Sequence, residues 1–491
     1  MAIHFKTHFL FLSLSVIGSN AFGLDASPQT VVPPTHDTAT NIGPTTPSRV
    51  YSYEKPTFKN YLIPAIEIPI FQFTLNQADR LLYPHQGYDV TFASGWDHVA
   101  HGKWVVDQDD FTINQIGHPY QGTVYFTAAR SSGLNFWESW IYSNAGSYLW
   151  ETYGERSDPS INDQVASGTA GALLGEPLYR LCSLIMDGGG TDPGFLRYVA
   201  ATLVSPVTMI NRFMFGEKYG PTLESRDPEF FMRIDGGWAQ NTLIQEPHSA
   251  RQSATDVVMG KLSLDYGSPG RATYRYQRPF DYFHMDLGGI DSNGRIFDDL
   301  SVRGLLFGAK FENDGPLQGI WGLYGHFDYE SPQIFRFSTT AVSFGTTSQL
   351  SMGKQMALQG TALAGLGYAS AGTITPNNDQ NDFHYGLTPQ GLLSLRWLLG
   401  TRLSLDASGR TFYITDHYAS RAPGKEKIDR LDTSLLLRLF GGHSISVGYG
   451  YVQRVAHYDA LPSLSQRIGT VSVMYSYVSD MHLGRVTPDG K

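Results

Sequence analysis

Cysteine is nearly absent: Cys182 stands alone among 491 residues, so no internal disulfide can staple this fold. Charge is scarce as well. Asp, Glu, Lys and Arg make up 16% of the chain, against ~25% in ordinary soluble domains. The 45 acidic residues outnumber 36 basic ones, for a formal charge of −9, and this balance argues against a nucleic-acid partner, which needs a basic face. Long apolar runs are missing too. Beyond the N-terminus nothing offers ~20 uninterrupted apolar residues, so no spanning helix is expected. The nearest candidate, 195–210, contains Arg197 and Pro206.

What the chain has in quantity is glycine and aromatic rings. It carries 52 Gly, 28 Tyr and 28 Phe. Abundant Gly and Tyr with few charges suit a sheet that meets lipid. The length exceeds one ordinary globular domain. At the N-terminus Lys6 precedes an apolar run from Phe9 to Gly18, and Ala21-Phe22-Gly23 offers small residues for cleavage. Residues 1–23 therefore read as a secretory signal peptide. An exported chain without a spanning helix is either soluble in the periplasm or a closed β-barrel.

Three regions follow. Residues 24–56, rich in Pro, Thr and Ser without an apolar period, read as a disordered linker. Residues 57–220 carry helical spacing: Trp137, Trp140 or Ile141, Asn144, Tyr148 and Glu151 fall three or four apart, along one helix face. Ser160, with Asp163 three residues on, resembles a capping box. Gly168, Gly171 and Gly175 form a smooth strip that would admit another element closely. Pro193 could begin a last helix, bent at Pro206. Gly188-Gly-Gly190 lacks the residues of a phosphate loop and reads as a helix break. From about 228 the period becomes two. Ile445, Val447, Tyr449 and Tyr451 alternate with Ser446, Gly448 and Gly450, and Val471, Val473, Tyr475 and Tyr477 with Ser472, Met474 and Ser476. About twelve such runs span 228–480, mostly long enough for a tilted strand to cross the hydrocarbon layer. Small residues and Ser on the polar face, with Tyr toward strand ends, favour a barrel in lipid over a soluble sheet. One departure stands out: a tail, 481–491, follows the last strand and ends on Lys491, where outer-membrane barrels commonly finish on an aromatic.

Ordered motifs fill the helical region: Asn114, His118-Pro119, Gly122, Ala129-Arg130-Ser131, Phe136-Trp137-Glu138-Ser139, Trp150-Glu151, Glu155, Pro159-Ser160-Ile161-Asn162-Asp163 and Gly175-Glu176. The string resembles a bacterial exported domain-of-unknown-function family, predicted to sit in the outer membrane. The resemblance covers roughly 60–220. It implies a compartment and an architecture and brings no settled activity with it.

These residues offer three chemistries. His118 with Glu151 or Asp163 is the orienting half of a nucleophilic triad, with Ser131, Ser132 or Ser160 as nucleophile; no nucleophile elbow marks those serines. Packing and capping explain the same residues more simply. His98 and His101, near Asp97, Asp107, Asp109 and Asp110, could contribute to a metal site with His118, but a solvated acidic loop is the plainer account, and no metal ligand is assigned. Arg130 with Glu138, Glu155 and Asn114 could bind a lipid phosphate or headgroup, since guanidinium takes phosphate bidentately; pairing with a carboxylate for structure is again simpler. No cofactor is indicated.

The expected fold is α+β, an N-terminal helical domain followed by an antiparallel transmembrane β-barrel of about twelve strands. The helices would plug the lumen or lie beneath its periplasmic mouth. The expected partners are membrane lipids and the outer-membrane assembly machinery, with no nucleic acid. Function divides between an envelope barrel without catalysis and a lipid- or glycan-modifying hydrolase or transferase built on His118.

Overall fold

The computed structural model describes residues 50–486 except 55–57, 84–86, 108, 217–219, 225–228, 247–250, 270–273, 291–297, 312–314, 333, 374–382, 416–417, 420–423 and 460–461. The expected signal peptide and most of the expected linker lie outside the described residues. Residues 50–54 of that stretch are ordered. Val50–Ser52 pairs antiparallel with Thr222–Glu224, Tyr53 N donates to Asp187 Oδ1 at 2.6 Å, and Arg212 lies over the Tyr53 ring at 4.9 Å. An aromatic ring and two carboxylates, Glu54 and Asp187, outweigh the polar composition upstream.

The chain forms two compact units, one of residues 1–107 with 117–228, the other of 108–116 with 229–491. Among the described residues, seven helices of ten residues or more build the first: α1 (Leu62–Leu82), α2 (Phe92–His101), α3 (His118–Ser131), α4 (Phe136–Tyr153), α5 (Gly171–Asp187), α6 (Phe195–Val204) and α7 (Pro206–Phe215). The last helix expected from Pro193 is thus two, parted at Ser205, because Pro206 has no N–H to continue the first. Helix α3 is buried along almost its whole length. The glycine strip explains how. A Cβ on Gly122 would sit 1.7 Å from Ser167 O, and one on Gly171 2.6 Å from Gly122 Cα. Two backbones meet there with no room for a methyl. Ser143 Oγ lies 3.0 Å from both the Gly122 and Ser167 carbonyls and fixes α4 to the same seam. Short π-helical turns, Ile113–Gly117 and Gln164–Ala170, lead into α3 and α5.

Twelve strands build the second unit: β1 (Phe230–Glu246), β2 (Arg251–Tyr266), β3 (Phe283–Ile290), β4 (Asp299–Lys310), β5 (Leu317–Glu330), β6 (Phe335–Met352), β7 (Met356–Thr373), β8 (Phe383–Leu399), β9 (Leu403–Ile414), β10 (Gly424–Phe440), β11 (His443–Tyr458) and β12 (Leu464–Val478). Each pairs antiparallel with the next, and β12 closes on β1 with Val478 opposite Arg233. Closure leaves no edge in the ring. The two-residue strand Tyr418–Ala419 adds to β8 beyond the end of β9. Tight turns after β6, β8 and β10 place Gly353, Gly400 and Gly441 at positive φ, 77°, 65° and 50°, where a Cβ would be strained.

Side chains alternate as the period of two requires. On β11 and β12, Ile445, Val447, Tyr449, Val471, Val473 and Tyr475 are exposed, while Ser444, Ser446, Ser472 and Ser476 are buried. Leu393, Leu395 and Trp397 on β8 and Leu431, Leu435 and Leu437 on β10 continue the outer belt. The segment 108–116 packs with this unit: Phe111 is fully buried against Tyr329 and Phe383, and Gln115 donates to Tyr385 Oη at 2.9 Å. The described part of the tail is also seated. Leu483 joins Phe231, Ala357, Leu398, Leu436 and Val478 in one apolar cluster, and Gln349 on β6 both donates to Val486 O and accepts from Val486 N. Among the described residues no helix is long and apolar enough to cross a membrane. A closed ring with an apolar outside and a polar inside is the form in which a β-structure spans a bilayer. The protein is an outer-membrane β-barrel preceded by a helical region.

Candidate functional site

Two polar clusters lie in the helical unit, and a third group lines the barrel. The first centres on His118, which opens α3. Its Nδ1 lies 3.2 Å from Ser167 Oγ and its Nε2 3.7 Å from Asp163 Oδ1. Ser160 caps the short turn that follows, its Oγ accepting from Asp163 N at 3.2 Å and donating to Asn162 Oδ1 at 2.8 Å. Glu151 Oε2 accepts from Ser160 N at 2.8 Å. All of these side chains are buried. Burial, then the negative charges of Asp163 and Glu155, push the Glu151 carboxyl up to about 10. It is therefore neutral at pH 7.

The structure thus brings together His118, Glu151, Ser160 and Asp163 and adds Ser167, which the sequence reading passed over. The signal was available: Ser167 lies four residues beyond Asp163, so the turn that carries one carries the other. Ser131 stands apart from this cluster. It donates to Ala128 O and accepts from Asn211 Nδ2 at 2.8 Å, and Ser132 likewise bonds Ala128 O.

The second cluster holds Arg130. Its Nε reaches Glu176 Oε2 at 2.6 Å and its Nη2 reaches Glu176 Oε1 at 3.0 Å. Arg180 donates to the same carboxylate at 2.8 Å and meets Glu54 at 3.4 Å. Burial alone would raise the Glu176 carboxyl, but the charges of Arg130 and Arg180 hold it below its ordinary value. Arg130 also lies over the Tyr179 ring at 4.6 Å. None of Glu138, Glu151, Glu155 or Asp163 is the partner of Arg130. Glu138 forms a capping box with Asn135 and pairs with Lys59 at 2.6 Å on the surface. Glu155 accepts from Trp150 Nε1 at 2.7 Å. Asn114, in the segment that belongs to the barrel unit, is fully buried, and neither of its side-chain polar atoms has a hydrogen-bond partner among the described residues. His98 Nδ1 faces Thr152 O, and His101 pairs with Asp97 on the surface. Among the described residues no three His, Cys, Asp or Glu side chains gather as metal ligands.

The third group fills the barrel. A cavity of about 280 Å³ in its lumen is lined by Arg233, Lys261, Arg303, Arg396 and Arg430 and by eight carboxylates, among them Asp265, Asp286, Asp299, Asp406 and Asp432. Several of the ion pairs cross the lumen. Arg396 on β8 reaches Asp265 on β2 at 3.3 Å and Asp406 on β9 at 2.7 Å. Strands β2 and β8 are six places apart in a ring of twelve, so this contact joins opposite walls. Arg430 on β10 meets Asp299 on β4 at 3.0 Å, again six places away. It also meets Glu330 on β5, which Arg410 on β9 shares. His284 sits between Asp265 and Asp286, 2.7 and 2.9 Å from its two ring nitrogens. The sequence reading placed polar side chains inside without seeing this lattice, because cross-lumen partners such as Arg396 and Asp265 lie 131 residues apart.

Residues 103–207 match the family described as "Domain of unknown function (DUF3943)". The DUF3943 stretch contains every candidate residue named above from Asn114 to Glu176, and Ser167 and Arg180 with them. No curated protein matches the chain. Among solved structures the chain is similar to an outer membrane channel from Pseudomonas putida F1, at 9% identity over 51% of this chain and 95% of that one, with a TM-score of 0.26. It is also similar to the NanC porin, at 9% over 48% and 98%, TM-score 0.24, and to the translocator domain of the autotransporter NalP from Neisseria meningitidis, at 13% over 50% and 88%, TM-score 0.22. The assignment to the membrane rests on the closed ring and its outer belt.

Proposed function

We propose that the barrel is a gated conduit for small polar solutes, held shut at rest by ion pairs that tie opposite walls together. The carrying observation is Arg396, whose guanidinium joins β2 to β8 across the lumen. Beside it the cavity of about 280 Å³ leaves room for a small polar solute. Eight carboxylates against five cations line that cavity, an excess that favours cations and zwitterions over anions. Insertion by the outer-membrane assembly machinery, with lipid as the barrel's surroundings, belongs to the same reading. Planar-bilayer recording of the purified full chain tests it. The expected record is rare, discrete openings with a reversal potential on the cation side in a salt gradient. A bilayer that stays silent even when Arg396 and Arg430 are both replaced by Met, with the barrel folded, would leave a structural barrel instead.

A second reading is favoured by one contact, Ser167 Oγ at 3.2 Å from His118 Nδ1 with Asp163 on the other side of the ring. In it the helical unit is a lipid- or glycan-modifying hydrolase or transferase whose nucleophile is Ser167, set on a π-helical turn of the kind found often at functional sites. Labelling of the folded chain by a fluorophosphonate, lost in Ser167→Ala and in His118→Ala, would support it. Equal labelling of wild type and Ser167→Ala would remove it.

A further inference from the structure

A helical domain bathed in water buries its apolar stripe and shows a polar face. Four helices of this unit instead bury polar side chains among their inward residues and show apolar ones outside. On α1 the inward residues include Gln72 and Asn76, which donate to the carbonyls of Gly146, Tyr88 and Gly154. Leu62, Ile66, Ile70 and Phe73, spaced four, four and three apart, form an exposed stripe on the other side. On α4 the middle of the buried face is Ser139, Ser143, Gly146 and Ser147, with Phe136 and Trp150 buried at its ends, while Trp137, Ile141 and Tyr148 point out. Helix α6 buries Arg197, which donates to Ile185 O at 2.8 Å, and exposes Phe195, Leu196, Val199 and Leu203. Helix α7 buries Thr208, Asn211 and Arg212 and exposes Ile210, Phe213 and Met214.

We propose that this apolar exterior is seated in one leaflet of the bilayer, with lipid acyl chains as its occupant. Three observations select lipid over a protein partner. The apolar surface runs over four helices rather than along one groove, which suits a fluid occupant. The same chain already presents an apolar belt to acyl chains through its barrel, so the medium is at hand. The interior of the unit is what a hydrocarbon surrounding demands, since polar groups there must satisfy one another. Arg130, Glu176 and Arg180 do so, as does the Nδ2 of Asn211 with Glu67 and Ser131. The depth follows from length. Helices α6 and α7 have ten residues each, about 15 Å at 1.5 Å per residue, half of a ~30 Å hydrocarbon core. They can enter a leaflet and cannot cross it. Arg80, in the last turn of α1, can bury its stem along that stripe while its charge stays at the headgroups.

The test uses the full chain in vesicles of phosphatidylcholine and phosphatidylglycerol. Single cysteines at Phe73→Cys, Leu203→Cys and Phe213→Cys carry an environment-sensitive fluorophore, and Asp158→Cys serves as a water-facing control. Cys182 is fully buried, and burial pushes its thiol up to about 11, so the unsubstituted chain is the labelling blank. Brominated acyl chains are expected to quench the three labels by roughly half or more and the control hardly at all, as for a helix face sunk in the acyl boundary. Iodide in the water should do the opposite. Labels at 73, 203 and 213 as open to iodide as the control would overturn the proposal. So would blue-shifted labels untouched by brominated lipid whose emission follows the protein-to-lipid ratio, because the occupant would then be a second copy.

Discussion

Arg396→Met removes the contact on which the gate depends and keeps most of the side chain's volume. Two bonds are lost, to Asp406 at 2.7 Å and to Asp265 at 3.3 Å, together with the stacking of the guanidinium over Phe231 at 4.8 Å. Neither carboxylate is stranded. Asp265 keeps His284 at 2.7 Å, and Asp406 keeps Arg233 at 3.4 Å and Ser404 and Ser434 at 3.3 Å. Breaking a buried pair by deleting one partner costs ~3–5 kcal/mol. Arg396 and Asp265 retain about a fifth of their side-chain exposure, 19% and 20%, and their other partners remain, so ~2–3 kcal/mol is the better figure for the wall-to-wall tie. At ~1.4 kcal/mol per tenfold, the open-to-closed ratio should rise by roughly 30- to 150-fold. Single-channel recording reads that ratio directly. Arg438→Met is the control, because Arg438 donates to Thr401 O and Gly441 O at the strand turns and ties no opposite walls. Identical open probability in Arg396→Met, Arg438→Met and wild type, with the heat-shifted gel mobility of a folded barrel in all three, would refute the gate.

Three further outcomes follow from the helical unit. Glu151 has a raised value in the folded chain, so its folding takes up a proton; stability is greatest below the ordinary Glu value and declines as pH climbs from there toward about 10, by at most ~1.4 kcal/mol per pH unit for one proton. Glu151→Gln should abolish that decline, as read by hydrogen exchange of 150–165 between pH 6 and 9 (roughly the window linkage allows), and should remove a protonated-carboxyl infrared band. Glu176→Gln leaves Arg130 and Arg180 facing each other without their shared carboxylate and should destabilise the unit by ~3–5 kcal/mol, measured by chemical denaturation; an effect below ~1 kcal/mol would mean water already screens the triad. Gly122→Ala puts a methyl where Ser167 O stands 1.7 Å away, so α3 and the following seam must part, at ~1–3 kcal/mol or more. The His118–Ser167 contact should open with it, seen as a changed imidazole resonance.

Periodicity made the barrel readable. A strand buried on one side and wet by lipid on the other must alternate, and Ile445–Ser446–Val447 records that rule directly. Strand number followed from counting, and closure from the need to leave no edge in lipid. The helical unit was harder because several of its helices carry apolar side chains outside as well as within. The stripe of Trp137, Ile141 and Tyr148 reads as a core face by ordinary expectation, yet it lies outside while Ser139, Ser143 and Ser147 are within. Candidate chemistry was half legible. His118, Glu151, Ser160 and Asp163 do meet, since the cap at Ser160 and the turn after it fold locally. The Arg130–Glu176 pair, 46 residues apart, depends on how α3 and α5 pack, and no local rule states that. The lumen lattice was invisible for the same reason, with β2 facing β8 only after the ring has closed. The tail also escaped, because Leu483 and Val486 gain their burial from strands laid down long before them.

Whether the outer wall of the ring touches acyl chains is read by a spin-label scan of β11. With nitroxides placed singly from 444 to 449 in the reconstituted full chain, oxygen should reach 445, 447 and 449 far better than a water-soluble nickel chelate does. Labels at 444, 446 and 448 should show the reverse or remain shielded from both. A scan in which the nickel reagent reaches every position equally would contradict the account and return the strands to water.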